Sequence, residues 1–296
     1  MSEIPEHPEQ PASRTAQWIA RGEAWMEHLE HQRPRHQTVE IGFRWVQRDK
    51  QIAGGVLGGG LAYRFFFWSL SLALLFSGGL GIAAHEHADI AAAGSETGLT
   101  GSVTHSIQSA AEQSDSGRWW LILVGTYVTL WFSFALLRAL RMVHAAAWQI
   151  TVPPLRDAPK ALGVVLVSPV VLVLGAILAG YMRANAGPAP GLLVTLVVGA
   201  VFAGMWLWAS MKLPSPDLPW TAFLPGAVFA GVGIEALHLF TVYFLANRLA
   251  SASALYGVLG LATTALFYLF LIGRGVVWAA ELNAVTWEVM HGGVPE

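Results

Sequence analysis

Cysteine is absent from the 296 residues. That excludes disulfides, thiolate zinc sites and thiol nucleophiles before any motif is read. Charge is scarce as well: Asp, Glu, Lys and Arg make up 12%, against roughly 25% in an ordinary soluble protein. The formal net charge is −2, so there is no basic excess suited to nucleic acid and no nucleic-acid partner is expected. What fills the chain is apolar: AVILMFWYC supply 54%, with 31 Gly and 13 Trp. This is a membrane composition, for which chain length is a poor guide to the number of soluble domains.

A bilayer core about 30 Å thick needs about 20 apolar residues in a helix. Spans are expected near 61–84, 119–137, 161–182, 191–211, 220–246 and 254–280. None shows the period-two alternation of a barrel strand, so the fold class is all-α: a polytopic membrane protein with six transmembrane helices, preceded by interfacial amphipathic helices. The first span starts too far along to be a cleaved signal peptide and stays as an anchor. Seven basic residues precede it, from Arg14 to Lys50; Arg138, Arg141, Arg156 and Lys160 follow the second span, and Lys212 the fourth. Only Arg118, Arg183 and Arg248 fall on the other side. By the positive-inside rule both termini are cytoplasmic, and membrane lipids are the expected partners. The 85–117 loop is then outside and acidic.

Residues 1–12 are rich in Pro and Glu and read as a disordered tail. Residues 13–56 form an amphipathic arm: Ser13 can cap a helix carrying Trp18, Ile19, Trp25, Met26 and Leu29, and a second stretch, 38–51, sets Phe43 and Val46 near Arg44, Arg48 and Lys50. Both stretches suit the inner-leaflet interface, with packing on a protein surface as the alternative. The six-helix domain covers 57–284, and 285–296 is a short tail.

The run GGVLGGG, Gly54 to Gly60, lacks the Lys-Ser/Thr and preceding strand of a phosphate loop and is expected to serve close helix packing or a joint. HEHAD, His85 to Asp89, begins like a metal-binding signature, but Ile90 stands where a further His is needed; as a helix it offers only His85 and Asp89 on one face. No metal and no cofactor are expected.

Charges inside spans are the most informative residues, because a charge at bilayer centre costs about 2.5–3.5 kcal/mol on insertion scales. Glu235 lies near the middle of the fifth span, with His238 three residues on and on the same face: a midplane polar site. Arg274 and Glu281 share a face of the sixth span, and Arg64 lies at similar depth in the first, so the three can form an inner-leaflet charge cluster. Two roles fit these residues: an ion-pair lock between helices, or a substrate or proton pathway.

The stretches WTAFLPGAVFAG and LYGVLGLATTALFYLFLIGRGVVWAAELNAVTWE resemble the C-terminal half of the YihY/BrkB family. The matching positions are Trp220, Thr221 and Gly226 at the start of span five, Tyr256, Gly257 and Gly260 in span six, and Glu281, Leu282, Asn283 and Ala284 at its end. Tyr63 matches the family's first-span Tyr pair, whereas the second Tyr is Arg64 here and Ser71 or a neighbour stands where a Pro is common. The resemblance covers about 38–288 and implies a six-span inner-membrane protein. Members have often been labelled ribonuclease BN, a chemistry for which these residues offer neither a complete metal cluster nor a basic groove, so no enzyme is expected. The resemblance and the intramembrane charges together point to transport or accommodation of a lipid or other amphipathic solute. In that reading Glu281 with Asn283 holds the last span in register. A non-transporting envelope assembly or scaffold protein is the alternative, and a tRNA-processing nuclease the third. Small-residue helix faces pack within or between chains equally well, which leaves homo-oligomer formation open.

Overall fold

The computed structural model describes residues 36–86, 118–154, 188–240 and 246–293, together with 18, 21, 163, 165 and 166. The 1–12 tail, most of the first arm helix, the 87–117 loop and nearly all of the 161–182 span lie outside them. Among the described residues the regular structure is entirely helical. Helix α1 is Gln37–Gln51, α2 Gly54–Glu86, α3 Arg118–Ala147, α4 Pro188–Lys212, α5 Leu224–Phe240 and α6 Ala246–His291, with a 3-10 turn at Trp220–Phe223 leading into α5.

Four helical segments are long and apolar enough to cross a membrane: Gly54–Leu75, Ile122–Ala147, Trp220–Leu237 and Ala262–His291; α4 adds the shorter apolar helix Leu196–Lys212. Only 28–33% of each of the four apolar windows is buried by protein. The remainder needs a lipid solvent, because Leu70, Tyr127, Trp131, Val228 and Val232 all point outward. The protein is therefore a multi-pass membrane protein.

Helices α2, α3 and α6 form one packed group around Leu61, Trp68, Leu136, Leu137, Val143 and Val277. Within it the buried Trp68 indole donates to Ser133 Oγ at 2.9 Å, an interhelical bond of the kind worth about 0.6–1.7 kcal/mol in a membrane. Helices α4 and α5 pair with each other and reach the group through α6. At the end bearing α1, a second small core of Trp148, Ala222, Phe223 and Ala284 ties the α3 exit, the 3-10 turn and α6 together.

Three features decide between or extend the expected outline for physical reasons. Helix α2 begins at Gly54, so the glycine run is helical rather than a joint. Each glycine costs about 1 kcal/mol of helix propensity, offset by approach to α6: a Cβ on Gly58 would sit 2.7 Å from Arg274 Cδ, and one on Gly273 would collide with the Gly58 carbonyl. The joint is one position earlier, at Ala53, whose φ of 53° turns the chain between α1 and α2. Helix α6 continues past Ala280 to His291; its 46 residues make a rod of about 69 Å at 1.5 Å per residue, far longer than the hydrocarbon core. The excess packs against α1. Lastly, α1 lies on α6, with Ile41, Trp45 and Arg48 among its less exposed positions. Arg48, expected among headgroup-facing cations, is 7% exposed.

Candidate functional site

Arg48 and Asp49 are consecutive residues near the end of α1, and each grips α6. Arg48 Nη2 donates to both carboxylate oxygens of Glu288, at 2.8 and 2.7 Å, and its Nη1 donates to the Ala147 carbonyl at the end of α3. Arg274 donates through Nη1 and Nη2 to the two Asp49 oxygens at 2.9 and 3.0 Å. Its guanidinium also lies 4.6 Å from the centroid of the Trp278 ring. Such two-pronged pairs are the stronger kind of ion pair, since the planar guanidinium matches the carboxylate in geometry as well as charge.

Glu281 lies halfway between the two grips, seven residues from each of Arg274 and Glu288. It is fully buried, and neither carboxyl oxygen has a hydrogen-bond partner. Asp49, Arg274 and the Trp45 indole are its polar neighbours, so one guanidinium faces two carboxyl groups. Trp45 closes the α1 side, edge-on to Trp278 at 6.0 Å and to Phe229 at 5.7 Å.

Asn283, also fully buried, reaches α5: its Oδ1 accepts the Gly226 N–H at 2.6 Å. Gly226 has to be glycine in this packing, because a Cβ there would strike the Ala279 carbonyl and sit 2.7 Å from the Asn283 amide. The stretches around Trp220 and Asn283 thus meet as one contact between α5 and α6. A family model described as Virulence factor BrkB matches residues 46–294. The chain belongs to the BrkB family. No curated protein and no solved structure shows a match to it.

Of the positions on which the sequence resemblance rests, Gly226, Glu281 and Asn283 are packed between helices, whereas Trp220 is 53% exposed at the opening of the 3-10 turn and Tyr63 is 60% exposed, in ring contact with Phe67 at 4.8 Å. Tyr256 and Gly257 lie in the first part of α6, and Gly260 is buried there; the Tyr256 side chain is outside the described set.

The proposed cluster of Arg64, Arg274 and Glu281 is brought together in part. Arg274 and Glu281 share one polar pocket of side chains with Asp49. Arg64 turns to its own helix, where Nη1 donates to the Gly60 carbonyl at 3.0 Å. Glu235 is half-buried on α5, its Cγ 3.7 Å from where a Cβ on Gly199 of α4 would stand. The two helices touch here at backbone level: a Cβ on Gly231 would be 2.6 Å from the Gly199 carbonyl oxygen. His238 follows on α5, with its side chain outside the described set.

Sequence reasoning missed Trp45, Asp49 and Glu288. In QRDKQ, Asp49 looks like one member of a solvated charge run. The available signal was Arg274, an intramembrane cation that requires an acid from another element. Arg141, a topological charge by sequence, is 4% exposed, and its Nη2 donates to the carbonyls of Pro153 at 2.7 Å and Pro154 at 3.1 Å.

Proposed function

We propose that this BrkB-family protein is a six-span protein of the cytoplasmic membrane, with both termini cytoplasmic, that moves or accommodates a lipid or other amphipathic solute. The observation that carries the reading is Glu235. It is a carboxyl side chain deep in an apolar helix pair, half-buried, against the glycine contact that joins α4 and α5. Around it Leu196, Val197, Val228 and Val232 expose apolar surface to lipid. Ionisable residues at such depth mark solute pathways more often than they serve stability, because the same contact could be made by an apolar side chain at lower cost.

In this reading the solute's polar end passes Glu235 while its apolar part stays among the outward-facing side chains, and no covalent bond is made or broken. The α1 clamp holds the cytoplasmic end rigid while the α4–α5 pair provides the path. Purified protein in liposomes containing a fluorescent phospholipid tests this. The wild type is expected to exchange the lipid between leaflets at least ten-fold faster than empty vesicles, and Glu235→Gln to lose most of that excess. Equal rates for protein-containing and empty vesicles would overturn the reading.

A further inference from the structure

At the α1 end, between the exits of α3 and α4 and the 3-10 turn, lies a cavity of about 430 Å³, within the range of about 300–1,000 Å³ typical of small-molecule sites. Its charged lining is Arg141, Lys212 and Asp217; Met211, Leu218 and Phe223 supply apolar wall. None of these charged residues belongs to the α1 clamp or to the Glu235 region.

The guanidinium of Arg141 is presented in a fixed plane. Both hydrogens of its Nη2 are used by the carbonyls of Pro153 and Pro154, which leaves Nε and Nη1 to donate to a ligand. Lys212, the last residue of α4, adds a mobile point charge to this fixed fork, and the pair suits the oxygens of a phosphate ester. Asp217 stands on the opposite chemistry: it suits a cation. The wall segment between Lys212 and Trp220 contains Pro214, Pro216 and Pro219, which fix φ and keep the rim in shape without ligand. Trp208 and Trp220 are exposed on either side of this segment, and Met211 and Leu224 expose apolar surface beside them. Exposed Trp with a terminal Lys where spans begin and end is the signature of the membrane–water boundary.

We infer that this cavity is a binding site for the headgroup of a zwitterionic phospholipid bearing a primary amine, with the phosphodiester on Arg141 and Lys212 and the ammonium on Asp217. Two cations alone would suit any anionic lipid. The added carboxylate favours a headgroup whose ammonium can donate hydrogen bonds, and disfavours a trimethylated one, which cannot. The acyl chains lie along Met211 and Leu224 toward the bilayer. This names a lipid class for the proposed transport function and rests on that reading for its purpose, although the binding itself does not require transport.

The test uses the full chain in detergent, with binding followed by native mass spectrometry and thermal shift. The probes are short-chain phosphatidylethanolamine, phosphatidylcholine and phosphatidylglycerol, with glycerophosphoethanolamine and inorganic phosphate as soluble competitors. The wild type is expected to bind phosphatidylethanolamine at least ten-fold more tightly than phosphatidylcholine. Asp217→Asn is expected to bring that ratio within two-fold while phosphatidylglycerol binding holds or improves. Lys212→Gln should weaken all three lipids by about ten-fold. Both positions are exposed, and the unliganded melting temperature of each variant checks its folding. Equal binding of the two zwitterionic lipids by the wild type, or an unchanged preference in Asp217→Asn, would overturn the assignment. So would competition by either soluble probe as strong as that by the lipid, which would make the ligand a soluble phosphate ester. Selective binding in a protein that exchanges no lipid between leaflets leaves the site standing and removes the transport reading.

Discussion

Two regions of this molecule surround their charged side chains in different ways. At the α1 end, Arg48 and Arg274 each meet a carboxylate through two hydrogen bonds, and residues 48 and 49 bind points 14 residues apart on α6. In the α4–α5 pair one carboxyl, Glu235, lies by a glycine-to-glycine helix contact surrounded by apolar side chains. The first arrangement immobilises: neither part-buried ion pair can open without separating two charges held away from most of the solvent. The second sets a carboxyl at a seam that small residues allow to be narrow. Counting intramembrane charges does not separate the two surroundings; the groups packed against each charge do.

The contrast is broken most severely at Arg48. Replacing it by Ala removes the fork to Glu288 and the bond to the Ala147 carbonyl, and leaves the part-buried Glu288 without its guanidinium. The expected cost is about 3–5 kcal/mol, read as a large fall in melting temperature with earlier proteolysis of the arm. The charge-swapped pair Arg48→Glu with Glu288→Arg should recover at least half of it. A loss below about 1 kcal/mol would mean that the clamp is peripheral. Next comes Gly226→Ala, which drives a methyl into the α6 backbone and displaces the Asn283 bond; overpacking of this kind costs about 1–3 kcal/mol, measurable in the same melting assay. The smallest effect is expected at Glu235→Gln, the variant that should lose most of the lipid exchange: the change keeps the side chain's shape and should cost less stability than Gly226→Ala, about 1 kcal/mol or below. A loss as large as that of Arg48→Ala would move Glu235 into the same class as the clamp and end the contrast.

Much of the outline was legible in the sequence because a lipid solvent imposes it. The apolar runs beginning near 61, 119, 191, 220 and 254 all fall within or overlap the observed helices, since each span must be long and apolar by itself. The motif residues Gly226 and Asn283 were also legible as a resemblance, though not that they touch. What was hidden depends on distant partners. Asp49 and Arg274 are 225 positions apart, and no local pattern couples them. Arg48 sits beside Lys50 and Arg44, so α1 reads as a basic surface helix; its burial follows only from Glu288 on the far end of α6. Glu281 and Glu288 made the last span seem to end at Ala280, whereas Ala284 and Val285 continue the buried helix face between them. Arg64 lay at the right depth but beside the face of α2 that carries Gly58 and Leu61, and it turned to the Gly60 carbonyl.

The bond from the Gly226 N–H to Asn283 has a mechanical side. The first amides of any helix lack a partner within it, and here one of them is fastened to a different helix at the very base of α5. That base is pinned while the rest of α5 rises through the membrane, with Glu235 nine residues above the pin, about 14 Å along the axis. Any movement of α5 that keeps this bond has to pivot at Gly226: a tilt of roughly 10° would carry the Glu235 backbone about 2 Å sideways and would have to slide the Gly231–Gly199 contact with it.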